Sequence, residues 1–162
     1  MTKEQEKAEF DQVEAYGGGS VGFMRVLRKM AEEQITSGAL QGYLAFVDGV
    51  SVGWCNANDK ANFPIESGNG ARFHTPAEKR EKVVACFEIA PKFRGKGVVT
   101  ALLQRGVDDA IAEGYIVVDG FPRKRDRRYE RDFTCPIRLY ENAGFVKVTE
   151  QDRFVVMRKE LR

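Results

Sequence analysis

Arg94-Gly95-Lys96-Gly97 lies between an apolar run, Val83 to Ile89, and an amphipathic stretch that begins at Val98. A strand feeding a glycine-containing turn at a helix N-terminus turns unpaired backbone N–H groups outward, at the positive end of the helix dipole. A phosphate or pyrophosphate is the natural occupant of such a turn. Gly95 and Gly97 let the backbone approach the anion, while Arg94 and Lys96 add positive charge. By spacing alone an ordinary basic surface turn reads the same way, and neither of the common glycine-rich nucleotide fingerprints is present.

Other residue types invite other chemistry. Glu88 is a carboxylate inside an otherwise apolar run, where burial would raise its pKa and suit it to act as a base toward an ammonium substrate. Its alternation with Phe87 and Ile89 allows the opposite reading, in which it reaches solvent. Cys86 or Cys135 as an acyl-cysteine nucleophile would need an activating partner, and His74 is the only histidine. Cys86 in its apolar run reads better as a small inert core residue, and His74, in a polar stretch, as solvated. Residues 123–132, RKRDRRYERD, set six basic and three acidic side chains around Tyr129. Basic and aromatic residues together can bind nucleic acid, but the acids favour an internally paired loop, with a substrate-entrance role next. Trp54 reads as core packing or as part of an acceptor pocket.

The elements that must position these groups follow from the pattern. Residues 2–16 could form a helix, with Thr2 and Gln5 at capping-box spacing, before Gly17-Gly18-Gly19-Ser20 breaks the chain. Phe23, Val26, Leu27, Met30, Ala31 and Ile35 predict a helix with a buried stripe, stopped at Gly38. Residues 43–47 and 50–55 around Asp48-Gly49 predict a tight hairpin. Residues 58–80 read as a polar loop and Val83–Ile89 as a strand covered on both faces. The helix after Gly97 would bury Val99, Leu102, Leu103, Val107, Ala110 and Ile111, with Tyr115–Val118 the next strand. A charged connection over 121–134, a short helix at Ile137–Ala143 and an antiparallel pair, Phe145–Val148 with Phe154–Met157, complete a mixed α/β domain.

Composition narrows the function classes. The 162 residues suit one domain, and 43% hydrophobic with 31% charged argues against intrinsic disorder. A net charge of +2 argues against a dedicated nucleic-acid binder. No apolar run approaches membrane-spanning length. Three cysteines without CxxC spacing indicate neither a disulfide framework nor a zinc site, so a reducing, cytoplasmic compartment is expected and no metal.

Phe87-Glu88-Ile89-Ala90-Pro91-Lys92-Phe93-Arg94-Gly95-Lys96-Gly97 resembles the acetyl-CoA motif of the GNAT N-acetyltransferase superfamily. Leu139-Tyr140-Glu141-Asn142-Ala143-Gly144-Phe145 is similar to that family's late helix-to-strand element, and Gly42–Asn56 to its central hairpin. The resemblance covers roughly residues 22–161, leaving 1–21 as an atypical N-terminal segment before a GNAT-like domain over 22–162. It implies a mostly antiparallel central sheet, flanking helices and a splayed strand pair after the motif. Arg94, Gly95, Lys96, Gly97, Val98, Val99 and Thr100 would cradle the CoA pyrophosphate, and Phe87, Glu88 and Ile89 would offer main-chain groups to the pantetheine arm. Tyr140 stands where the family usually has its general acid, with acetyl-CoA as co-substrate and an amine as acceptor. The family frequently forms dimers, so a homodimer fits. The chain departs from the pattern at Val99, at Phe133 and Pro136, and at Val83, and no first strand is visible before residue 22. The alternative reading is a non-catalytic acyl-CoA sensor or interaction module.

Overall fold

The computed structural model describes residues 11, 13–62, 80–124, 135–150 and 154–161. The expected helix over 2–16 is therefore described only in part, with residues 11 and 13–15 helical. His74 and most of the basic stretch, 125–132, lie outside the described residues. The chain divides into two compact units, Met1–Leu40 and Gln41–Arg162.

In the first unit the triple glycine adopts positive φ at all three positions, and helix α1, Gly19–Thr36, starts on its last member. Gly22 faces the Val13 carbonyl so closely that a Cβ there would collide with it. Gly22 and Val26 are the buried residues of α1, whereas Phe23, Leu27, Met30 and Ile35 are exposed. The predicted stripe is thus correct as a periodicity and wrong as a buried face. Within this unit the described chain offers the helix only the short turn around Val13 to pack against.

The second unit is built on six strands in the order β1-β2-β3-β4-β6-β5. They are β1 (Gly42–Val47), β2 (Val50–Asp59), β3 (Glu81–Ile89), β4 (Val117–Gly120), β5 (Val146–Glu150) and β6 (Val155–Glu160). Every neighbouring pair is antiparallel except β3–β4, which are parallel and joined by a crossover through a helix. The hairpin turn is the expected one, since Asp48 and Gly49 take φ of 50° and 76°, the mirror-image geometry that matches strand twist. The polar loop begins later than expected: β2 runs to Asp59, and a 3₁₀ turn, Lys60–Asn62, follows. Likewise β4 starts at Val117 and includes Asp119 and Gly120, while Ile116 is exposed.

Helix α2, Val98–Ala112, packs Leu102, Leu103, Val107 and Ala110 onto one sheet face, joined by Cys55, Ala57, Val84, Phe87 and Ile89. Ile111, expected in this stripe, is exposed, because it falls on the solvent edge one position past Ala110. The short helix α3, Ile137–Asn142, contributes Tyr140 to the same core, and Gly144 closes it at φ 82°.

The opposite sheet face is partly polar. Val83, Phe121 and Val156 form a small apolar cluster there. Beside it Lys60 Nζ donates to Glu81 at 2.7 Å and to Asp119 at 2.9 Å, and Arg158 grips both oxygens of Asp119 at 2.8 Å. Lys60, Glu81 and Asp119 are all buried. Burial opposes ionisation of Asp119, but the hydrogen bonds from Arg158 and Lys60 outweigh it and hold the carboxyl below its ordinary value. This network ties the turn after β2 to β3, β4 and β6. No sequence pattern announced it.

At one margin of the sheet, β1 is the outermost strand and carries no charged residue from Gly42 to Val47, with Leu44 and Phe46 more than half exposed.

Candidate functional site

The site begins with an irregularity in β3. Asn56 pairs with Cys86, yet the next residue of β2, Ala57, pairs with Val84, so β3 carries one extra residue at Ala85. Such a bulge bends its strand and reverses the alternation of faces beyond it. Accordingly Val84 and Phe87, three residues apart, share the same core, while Ala85 packs on the opposite side. Pairing with β4 ends at Val84↔Gly120, immediately before the bulge, and β3 continues alone on that side to Ile89. Two parallel neighbours thus separate into a fork, leaving main-chain groups of residues 86–89 without a partner strand on the β4 side among the described residues.

From the far end of β3 the chain enters a 3₁₀ turn, Pro91–Phe93, and then the four-residue turn at 94–97. Arg94 Nε donates to the Ile89 carbonyl at 3.0 Å, fixing the turn to the strand end. Lys96 Nζ lies 5.4 Å from the centre of the Phe93 ring. Gly95 and Gly97 have φ of 69° and 82°, and among the described residues nothing lies within 4 Å of where a Cβ would be. Their glycine requirement is conformational, and the space above them is open to an occupant. Gly97 caps α2 with no side-chain hydrogen bond, and no acidic residue stands in the first turn. The first intrahelical bond is Ala101 N–H to the Gly97 carbonyl at 3.0 Å, so the N–H groups of Val98, Val99 and Thr100 have no helical acceptor. The structure therefore brings Arg94, Gly95, Lys96, Gly97, Val98, Val99 and Thr100 into one exposed, positively charged, donor-rich turn beside the fork.

Tyr140 is fully buried, its ring edge-on to Phe145 with centroids 5.4 Å apart. The ring presses on Gly120 so closely that any Cβ there would overlap it. Gly120 is the last residue of β4, which puts the phenol ring at the root of the fork. Phe87 and Ile89 point into the core, leaving main-chain groups as what they can offer to a ligand.

Glu88 is exposed, so of the two readings its sequence position allowed, the one that reaches solvent holds. The bulge is the reason, since it places Phe87 and Ile89 inward and Glu88 outward, opposite Trp54 on β2. Trp54 is half-buried on that same face, with its ring over Gly42. Burial raises the Cys86 thiol, with the nearby Glu88 carboxylate adding to it, and burial raises Cys55 further, so neither is an activated nucleophile. All three cysteines are free. Among the described residues no group could hold a metal ion, and no helix is long and apolar enough to cross a membrane. Sequence reasoning missed the bulge. The one available signal was that Val84 and Phe87 are both large and apolar at odd spacing.

The geometry agrees with comparisons to known proteins. No curated protein matches the chain. Among solved structures, a candidate GNAT acetyltransferase from Desulfovibrio desulfuricans aligns with TM-score 0.61 at 19% identity, covering 98% of this chain and 94% of that one. A ribosomal-protein-alanine N-acetyltransferase from Brucella melitensis gives 0.57 at 17%, over 99% and 97%. The PaiA N-acetyltransferase from Thermoplasma acidophilum, solved in complex with coenzyme A, gives 0.56 at 13%, over 82% and 70%. At these identities the likeness is one of fold. The model of the acetyltransferase (GNAT) family matches residues 20–145, most of the chain. A forked sheet, a glycine turn on an uncapped helix and this family match converge, and the chain belongs to the GNAT acetyltransferase family.

Proposed function

We propose that the protein transfers an acetyl group from acetyl-CoA to a primary amine by direct attack in a ternary complex. The observation that carries this reading is the exposed turn at 94–97, whose open glycines and uncapped helix end adjoin a fork between β3 and β4. The turn holds the diphosphate through the N–H groups of residues 95–100. The pantetheine arm then runs along residues 87–89 as an added strand, and an N–H of this stretch polarises the thioester carbonyl. The protein's main contribution is orientation of the two reactants. Glu88, on the exposed side of the same strand end, is the carboxylate available to the attacking amine. Its role as base is supported by position alone.

Tyr140 protonates the departing sulfur. Its place against Gly120 at the root of the fork supports this, as does the chemistry: a phenol near pKa 10 can supply a proton to a thiolate near 8.5. Because a thiolate of that basicity leaves readily, the proton contributes modestly, and Tyr140→Phe should lower kcat about tenfold. The variant keeps the packing with Phe145, so its melting temperature should stay near wild type. Coenzyme A release from acetyl-CoA with a panel of amines tests the reading, and an unchanged kcat in Tyr140→Phe removes the tyrosine from its role. If no amine supports release while coenzyme A still binds, the chain is an acyl-CoA sensor. The three free cysteines are compatible with work in a reducing, cytoplasmic compartment.

A further inference from the structure

On the sheet face opposite α2, Trp54 is paired with Glu88 and, one register step away, Asn56 is paired with Cys86. Trp54 and Asn56 are two apart on β2, and Cys86 and Glu88 two apart on β3, so the four side chains form a square beside the open side of the fork. Leu44 of β1 pairs with Trp54 and extends this patch with an apolar, more than half-exposed side chain.

Three members of the patch ask for the same kind of ligand. Glu88 is an exposed carboxylate among apolar neighbours, with no cation paired to it among the described residues. Trp54 offers a π surface, the best of the aromatic side chains for a cation. Asn56 Oδ1 is the buried side-chain atom without a hydrogen-bond partner among the described residues, and such an orphan calls for an explanation. It needs a donor. The residue as a whole is half-buried, so a donor reaches the amide after rotation about its last side-chain bond. A carboxylate, an aromatic face and an unpaired acceptor together reject anions and neutral hydrocarbons and accept a group that is cationic and rich in N–H.

We infer that Trp54, Asn56 and Glu88 form the recognition site for the acceptor, a primary ammonium carried on a short apolar arm that lies along Leu44. This rests on the proposed acetyl transfer for its biological meaning. The binding itself does not depend on coenzyme A. In this arrangement Glu88 takes one ammonium N–H, the Asn56 oxygen takes a second, and Trp54 covers the charge. The orphaned acceptor is then a cost carried by the free protein and relieved when the acceptor arrives.

Trp54 is the single tryptophan of the chain, so its emission reports occupancy of this site directly. The test titrates the whole protein with n-pentylamine, cationic at neutral pH, and with 1-pentanol as a neutral control of similar shape. A saturable change with the amine and none with the alcohol is expected. Glu88→Gln should weaken amine binding about tenfold and Asn56→Leu about fivefold. Asn56→Leu should also raise the melting temperature, because it removes a buried unpaired acceptor, whereas a merely structural asparagine would lower it. Asn56→Asp, which keeps the oxygen and adds charge, should tighten binding and covers the case in which the leucine variant does not fold. Equal response to amine and alcohol, or wild-type affinity in both Glu88→Gln and Asn56→Leu, overturns the inference. Calorimetry with coenzyme A on the same samples separates the two ideas. Normal coenzyme binding with no amine response sinks this site alone, and no coenzyme heat sinks the acetyl-transfer reading instead.

Discussion

Asp119→Ala is expected to destabilise the fold by about 3–5 kcal/mol, the cost of leaving buried charge uncompensated. Asp119 is the carboxylate shared by Lys60 and Arg158, and its side chain is only 1% exposed. Without it two cations face Glu81 alone, at 2.7 Å from Lys60 and 3.8 Å from Arg158. A loss of that size is a large share of the roughly 5–15 kcal/mol that holds a domain together. Urea unfolding monitored by far-ultraviolet circular dichroism measures it, and a change below about 1 kcal/mol would show that the network contributes little. Removing Arg158 together with the carboxylate, as Asp119→Leu with Arg158→Met, leaves Lys60 and Glu81 as an intact pair and should recover most of the loss.

The same carboxyl sets an acid limit. Its folded pKa is lowered, so its contribution is complete above the unfolded value of about 3.9 and is lost as pH falls through the lower, folded value. Wild type should therefore lose stability on acidification below about pH 4, with a shallower fall in the double variant. The network also has a positional consequence. It joins Glu81 of β3 to Asp119 of β4 just below the point where those strands part, so a loosened network loosens the root of the fork.

Gly97→Asp should weaken coenzyme A binding about 100-fold or more. Gly97 sits at φ 82°, where an L residue is strained, and it caps the helix whose free N–H groups face the turn. A carboxylate there also stands against the diphosphate. Two like charges ~5 Å apart at an effective dielectric of ~20 repel by about 3 kcal/mol, and about 2.7 kcal/mol is already 100-fold. Gly97→Ala isolates the strain, since the Cβ meets nothing within 4 Å, and should cost less than tenfold. Isothermal calorimetry with coenzyme A decides the matter, and equal affinity in wild type and Gly97→Asp would move the diphosphate elsewhere.

Much of the architecture was legible because its determinants are local. Asp48-Gly49 specified the hairpin, the spacing of Leu102, Leu103, Val107 and Ala110 specified α2, and Gly114 and Gly144 marked helix ends at positive φ. The glycine turn after β3 was legible for the same reason, as its geometry depends on consecutive residues. What stayed hidden was long-range or masked by uniform polarity. Lys60 meets Asp119 across 59 residues, and nothing in a polar stretch tells a network member from a solvated lysine. The bulge at Ala85 left only the odd spacing of Val84 and Phe87 as a trace, a weak signal inside a continuous apolar run where alternation carries little information. The orientation of Glu88 depended on that one residue. The α1 stripe shows the converse, a correct period that does not guarantee a partner surface.

The uncharged outer strand has a practical side. Natural sheets commonly guard their margins with lysine, proline or a short final strand, and β1 has none of these along Gly42–Val47. Colloidal behaviour therefore depends on this uncharged margin. Concentrated samples should scatter light through margin-to-margin stacking well before any heat-induced unfolding. One lysine in place of Phe46 should raise that solubility ceiling without disturbing the turn at 94–97 or the fork between β3 and β4.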